Sequence, residues 1–350
     1  MSPAHHAGRI LIAGNWHWEI YEEALARGFA AAGLEVVRFS TDPAEPPGRM
    51  MSQVGRLRLA SCLKEVNRRF LDAMLTTRPD LALLIRCDGI MPETLISLRS
   101  RLPQTTLAVY HNDNPFLGGI RRFSTRHFLG GLRHVHHVFV YRPGDVDAAR
   151  RHGARSVSVL LPSYLRDVHR PTPGGEARDV LFLGHFENDG RGDLIDLLHG
   201  QGVDVRVSGP GWERWAARRP WHGTEGLAPR YGKDYAAAIS AARISLVFLS
   251  HRNRDVYTRR CFEIPACASL MLAPHSPELS RLFEDRIEAV YWRNPDELVT
   301  CAVSLLRDEP WRRSVAEAGH RRVLAGRHDE YGRAAQVLST FEAVRQEAVR

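Results

Sequence analysis

Cysteine is scarce in this chain of 350 residues, and the five present (Cys62, Cys87, Cys261, Cys267 and Cys301) form no CxxC pair. An odd number at wide spacing supplies neither a disulfide framework nor a zinc site, and a reducing compartment is expected. Long apolar runs are lacking as well. The cleanest, such as Ile244 to Leu249, fall far short of the ~20 residues a membrane-spanning helix needs. The opening MSPAHHAGR leads straight into a strand-like Ile10-Leu11-Ile12-Ala13 without the apolar core of a signal peptide, so the expected location is the cytoplasm. There is no GxGxxG, GxxxxGK[ST] or GxSxG, which argues against a dinucleotide dehydrogenase, a P-loop kinase and a serine-hydrolase elbow. The arginines are scattered, with no basic run of five or more and no basic-aromatic stripe, so a nucleic-acid partner is not expected. Repeats, heptads and low-complexity tracts are absent too.

What remains is the composition of a folded globular protein, 44% hydrophobic and 25% charged. A net charge of +8 and a pI near 9.6 favour anionic partners, among which a nucleoside diphosphate and a membrane surface stay open. The length suits two α/β domains of roughly 150 to 200 residues each.

Short aliphatic runs alternate with segments of helical period from Arg9 onward, the signature of βαβ units and a parallel sheet. Strands are expected at 9–13, 35–39, 81–85, 106–110, 137–141 and 156–161. The helix before the third of these carries Leu59, Leu63, Val66, Phe70 and Met74 on one face. Pro162, Pro171, Pro173, Gly174 and Gly175 then disfavour both helix and sheet and mark a linker. Strands resume at 179–183, 203–207, 244–249, 270–273 and 289–291, and from Asp296 the pattern is helical. The expected fold is α/β with two Rossmann-like doubly wound domains: 1–165, a linker at 166–178, and 179–350, whose last helix is free to cross back to the first domain. Ligands of such sheets bind beyond the carboxyl ends of the strands, which directs attention to the loops there and to a cleft between the domains.

The most informative loop runs from Asn253 through Asp255, Tyr257, Thr258, Arg259 and Arg260 to Glu263, after the strand at 244–249. A polar loop entering a helix offers free N–H groups and partial positive charge to a phosphate, and Arg259 and Arg260 add charge-assisted donors. A carboxylate such as Glu263 can accept ribose hydroxyls. Cys261 and Cys267, six apart, read as packing residues.

Here the sequence resembles a family. The pattern Asn-x-Asp-x-x-Thr-Arg-x-x-Phe-Glu-Ile-Pro-Ala-Cys, followed by Met271-Leu272, Glu278-Leu279, Leu282-Phe283, Glu288-Ala289-Val290 and Asn294-Pro295-Asp296-Glu297-Leu298, is similar to the spore-maturation CgeB-like glycosyltransferases. The resemblance spans roughly 180–344 and is looser before it, where Tyr110-His111-Asn112-Asp113-Asn114-Pro115 resembles a short acidic turn of that family. It implies a GT-B fold, a nucleoside-diphosphate-sugar donor in the C-terminal domain, an acceptor in the N-terminal domain, and no obligatory metal or other cofactor. In the Glu-x7-Glu signature of related transferases, Glu263 matches the ribose-binding glutamate and Asp255 replaces the first, while Ala268 stands at a position usually taken by glycine.

By the same resemblance Gly184 in Leu183-Gly184-His185-Phe186, with Arg191 entering the next helix, would contact the donor diphosphate. Gly209 and Trp212 in Ser208-Gly209-Pro210-Gly211-Trp212 would lie where the nucleobase is held. Candidate general bases on the acceptor side are His17 after the first strand, Asp88 in Arg86-Cys87-Asp88-Gly89, and Asp113. His134, His136 and His137 lack carboxylates at ligand spacing, so no metal site is expected there. The donor's base and sugar, the acceptor (small molecule, glycan or protein) and the oligomeric state are not encoded legibly, and an epimerase, a hydrolase or a non-catalytic nucleotide-sugar-binding protein would use the same groups.

Overall fold

The computed structural model describes residues 8–42, 60–173 and 178–349, in two compact units: Met1–Pro162 with Glu330–Arg350, and Ser163–Asp329. The first unit carries six parallel strands, β1 (Arg9–Gly14), β2 (Glu35–Ser40), β3 (Leu81–Ile85), β4 (Thr106–His111), β5 (His137–Val140) and β6 (Val157–Val159), in the order β2-β1-β3-β4-β5-β6. β3 is buried on both faces, as its uninterrupted Leu-Ala-Leu-Leu-Ile demands of a central parallel strand. It pairs Ile10 with Leu81 on one side and Leu81 with Thr106 on the other. Helix Ala60–Thr77 lays Leu63, Val66, Phe70 and Met74 into the core against Phe39 and Leu84, in the expected i, i+3/i+4 pattern; Leu59 lies outside the described residues.

The second unit has five parallel strands, β7 (Arg178–Leu183), β8 (Val205–Ser208), β9 (Ala242–Leu246), β10 (Leu270–Pro274) and β11 (Val290–Trp292), in the order β11-β10-β9-β7-β8. Its core gathers Phe182, Ile195, Val207, Trp212, Ile244 and Leu272. Helices Pro295–Arg307, Glu309–Ala325 and Glu330–Val349 follow, the first two opened by Asn294 and Asp308 side chains that accept the Glu297 and Trp311 N–H groups.

Most strand ends shift by a residue or two from expectation, and two differences bear on how the chain divides. β9 begins at Ala242 and ends at Leu246, so the apolar run Val247–Leu249 already belongs to the loop that leaves the sheet. Residues 163–165 stand with the second unit, where Tyr164 and Leu165 are buried, while helix Glu330–Val349 stands with the first. There it packs so closely on helix Ala24–Ala31 that a Cβ on Gly28 would collide with Ala334 and with the Glu330 carbonyl. Gly174 and Gly175 of the expected linker lie outside the described residues.

Each sheet has one point where successive connections leave in opposite directions, between β1 and β3 in the first unit and between β7 and β9 in the second. Loops diverge there and leave a crevice beyond the carboxyl ends of the strands.

Candidate functional site

In the second unit the loops after β7 and β8 are zipped together by Gly184 N–H to Ser208 O (2.8 Å), Phe186 N–H to Pro210 O (2.9 Å) and Trp212 Nε1–H to Gly184 O (2.8 Å). Gly209 sits at φ +140 against the Gly184 carbonyl, and a Cβ would close that gap entirely. Gly184 is equally constrained, because the Arg260 guanidinium lies over its Cα. Arg260 Nε donates to Leu183 O, and its guanidinium stands 5.4 Å from the Phe182 ring centroid. The sequence thereby fixes a cation at the carboxyl end of β7, at the switch point.

Arg260 opens the short helix Arg260–Ala266, and Glu263 follows one turn later. Glu263 is 4% exposed. Its Oε2 accepts from the Tyr235 hydroxyl at 2.7 Å, while Oε1 faces His169 Nε2 and Arg259 Nε, each at 3.8 Å, without a hydrogen bond among the described residues. Burial, and then the Glu263 charge, push the Tyr235 pKa well above its ordinary value, so Tyr235 remains a hydrogen-bond donor. One carboxylate oxygen is therefore hydrogen-bonded to the protein, and the other has only the longer ion-pair contacts with His169 and Arg259. Sequence reasoning missed both Tyr235 and His169: the first comes from helix Gly232–Ala241, the second from the expected linker.

The other expected donor residues are largely engaged within the protein. Arg191 is 4% exposed and turned inward: Nε and Nη2 grip Asp189 at 2.8 and 2.6 Å, and Nη1 donates to His185 O at 2.6 Å. Burial works against the Asp189 charge, yet the Arg191 hydrogen bonds and charge hold its pKa below the ordinary value. Arg191 thus clamps its own loop, with all three of its nitrogens engaged and the side chain buried. Trp212 is fully buried, edge-on to Phe182, Phe186 and Trp215, so it supports the loop and presents no face to a base. Tyr257 (1% exposed) packs against Phe262, and Thr258 is buried beside the Cys261 thiol. Arg259 Nη1 donates to Ser163 O. Asn253 and Asp255 are half-buried, their N–H groups bonded to Ser250 Oγ and Ser250 O. The Cys261 and Cys267 thiols are buried, their pKa values pushed up by burial to about 11 and about 12, as packing residues require.

In the first unit β3 and β4 bring Arg86, Asp88, His111 and Asp113 together. Arg86, at φ +51, pairs with Asp113 at 2.9 Å, and Asp88 Oδ1 meets His111 Nε2 at 2.9 Å. His111 Nδ1 lies 3.2 Å from both the N–H and the carbonyl oxygen of Asp113, so both ring nitrogens are engaged. Asp113 is the accessible member, its side chain 42% exposed against 14% for Asp88. His17 stands apart from them, exposed and 3.2 Å from Asp42. Glu22, unforeseen from sequence, is buried behind Gly14. Its Oε1 accepts the Asn15 N–H, its Oε2 has no partner among the described residues, and burial raises its pKa. The signal was available: Glu22 is followed at i+3, i+4 and i+7 by Leu25, Ala26 and Phe29, an apolar face after β1.

His134, His136 and His137 hold no metal geometry, and no group of three or more His, Cys, Asp or Glu side chains suited to a metal occurs among the described residues. No helix among them is long and apolar enough to cross a membrane.

Comparison with known proteins fits this architecture. The whole chain superposes on sucrose-phosphate synthase from Thermosynechococcus elongatus (TM-score 0.70, 16% identity, 97% of this chain and 100% of that one). It superposes likewise on Anabaena HepE in complex with UDP and glucose (0.65, 14%, 96% and 100%). The fold is GT-B. A putative UDP-N-acetylglucosamine 2-epimerase from Listeria monocytogenes shares it (0.58, 11%, 97% and 97%), so the architecture alone does not fix the reaction. Residues 191–339 match the profile of the glycosyl transferase-like family, which supports a transferase and covers both Arg260 and Glu263. No curated protein matches the chain in sequence.

Proposed function

We propose that this protein transfers a sugar from a nucleoside-diphosphate sugar to a hydroxyl-bearing acceptor, with the donor bound by the loops of β7, β8 and β9. The observation that carries the reading is the pairing of Arg260, pinned against Gly184 at the switch point, with Glu263 one helical turn away, one of whose oxygens accepts no hydrogen bond among the described residues. The guanidinium suits a diphosphate and the carboxylate oxygen a ribose hydroxyl. As the glycosidic bond breaks, the leaving diphosphate gathers charge beside Arg260, which is where a fixed donor lowers the barrier most. On the acceptor side Asp113, paired with Arg86 but 42% exposed, is preferred to Asp88, which is 14% exposed and bonded to His111; His17, exposed beside Asp42, is the other candidate base. A uridine nucleotide is the first donor to try, because HepE of the same fold carries UDP. The match to the CgeB-like subgroup remains our reading of the motif around Glu263.

Thermal stabilisation by UDP-, GDP- and TDP-sugars tests the donor class, since a ligand confined to the folded state raises its midpoint. Arg260→Ala abolishes that shift if the assignment holds, and an undiminished shift removes Arg260 from the site. Transfer proceeds in EDTA by this mechanism; its loss there refutes metal independence. The epimerase reading predicts turnover of the donor with no acceptor added.

A further inference from the structure

Between Asp113 and Asp145 the sequence contains no acidic residue, while five arginines and four histidines fall within that stretch. The structure draws part of it onto one surface of the first unit. The His152 ring lies on Phe116, centroids 6.0 Å apart and planes 30° apart, at the end of helix Val146–Arg151. Arg133 packs over Gly153, where a Cβ would meet the arginine stem at 3.1 Å. Arg122, from helix Ile120–Ser124, and Arg151 approach the same point: besides burial, the charges acting on His152 are Arg122, Arg151 and Arg133, all of one sign.

No carboxylate among the described residues neutralises these charges. Its nearby ion pairs are Arg142 with Asp145 (3.5 Å) and Arg150 with Asp147 (3.7 Å). Arg122, Arg133 and Arg151 are exposed, and no carboxylate stands within ion-pair distance of them among the described residues. Beside them Phe123 is 50% exposed, its ring covered on one side by the Arg126 guanidinium at 4.2 Å. Uncompensated arginines around a protruding aromatic suit phosphate headgroups with acyl chains beneath. A nucleic-acid strand asks instead for a series of open rings on which bases stack, and one half-covered ring does not provide it.

We infer that this basic surface, with Phe123 standing out of it, docks the first unit on an anionic phospholipid bilayer. The contact is peripheral and electrostatic, so added salt weakens it. Flotation with phosphatidylcholine vesicles, with and without phosphatidylglycerol, tests it on the full chain. Wild-type protein floats with the anionic vesicles alone. Arg122→Gln lowers its partition about 5-fold and Arg122→Gln/Arg151→Gln about 25-fold, with Phe123→Ala also weakening it. The altered side chains are exposed, and an unchanged circular dichroism spectrum verifies the fold. Equal flotation with neutral vesicles, no flotation, or indifference to the double substitution overturns the inference. So does binding of single-stranded RNA that the same substitutions abolish while vesicles are ignored. The readout is independent of sugar transfer, and the surface stands or falls apart from the proposed reaction.

Discussion

His137 offers a sharp quantitative test of the first unit's core. It lies on β5, 3% exposed, with Nδ1 and Nε2 each 2.8 Å from a serine hydroxyl, Ser156 and Ser158. Burial disfavours the imidazolium and lowers its pKa from 6.5 to about 4. The folded state therefore binds fewer protons than the unfolded chain between these values. Its contribution is fully present above pH 6.5 and is lost as pH falls from there toward 4. At 1.36 kcal/mol per unit the loss reaches about 3 kcal/mol. The assay is an NMR titration of the imidazole, assigned by its disappearance in His137→Gln, paired with urea unfolding of both proteins across the same pH range. Wild type loses stability on acidification up to one proton's worth more steeply than the variant. An imidazole that titrates at its ordinary value, or equal slopes for the two proteins, refutes the argument that the serine-flanked ring is kept neutral.

Ala268 occupies φ +56, a left-handed conformation that costs a residue with a side chain roughly 1 kcal/mol, so Ala268→Gly raises the midpoint of the second unit by about 2 °C in calorimetry. Arg191→Ala leaves the Asp189 carboxylate without its counter-ion and destabilises the second unit by about 3 kcal/mol in urea unfolding; full stability with lost nucleotide binding would return Arg191 to the donor site. Tyr235→Phe removes the hydrogen bond that fixes Glu263, and nucleotide affinity measured by calorimetry falls by about 10-fold, while unchanged affinity makes that bond irrelevant to binding.

The alternation of β and α segments was legible because parallel strands buried on both faces leave unbroken apolar runs, as β3 does. Strand order in each unit follows from connections that the sequence does not spell out. At the site, Arg260 and Glu263 were legible from the polar loop that enters their helix. Tyr235 was not, because a hydrogen bond spanning 28 residues depends on how two helices meet. Trp212 misled because Gly-Pro-Gly-Trp reads as an open loop. Gly209 at φ +140 and Gly211 at φ +91 turn the chain so that the indole points inward and meets Gly184 O. His111 escaped notice because it ends a buried strand; its partners Asp88 and Asp113 come from two different turns.

The return of helix Glu330–Val349 to the first unit makes the second unit an insertion within the first. During synthesis Ser163–Asp329 can complete its core as soon as it emerges, whereas the earlier half must wait for a helix made after it. Ribosome-bound chains halted after Asp329 should hold a protease-resistant second unit beside an unfinished first one, with Gly28 and its neighbours still uncovered.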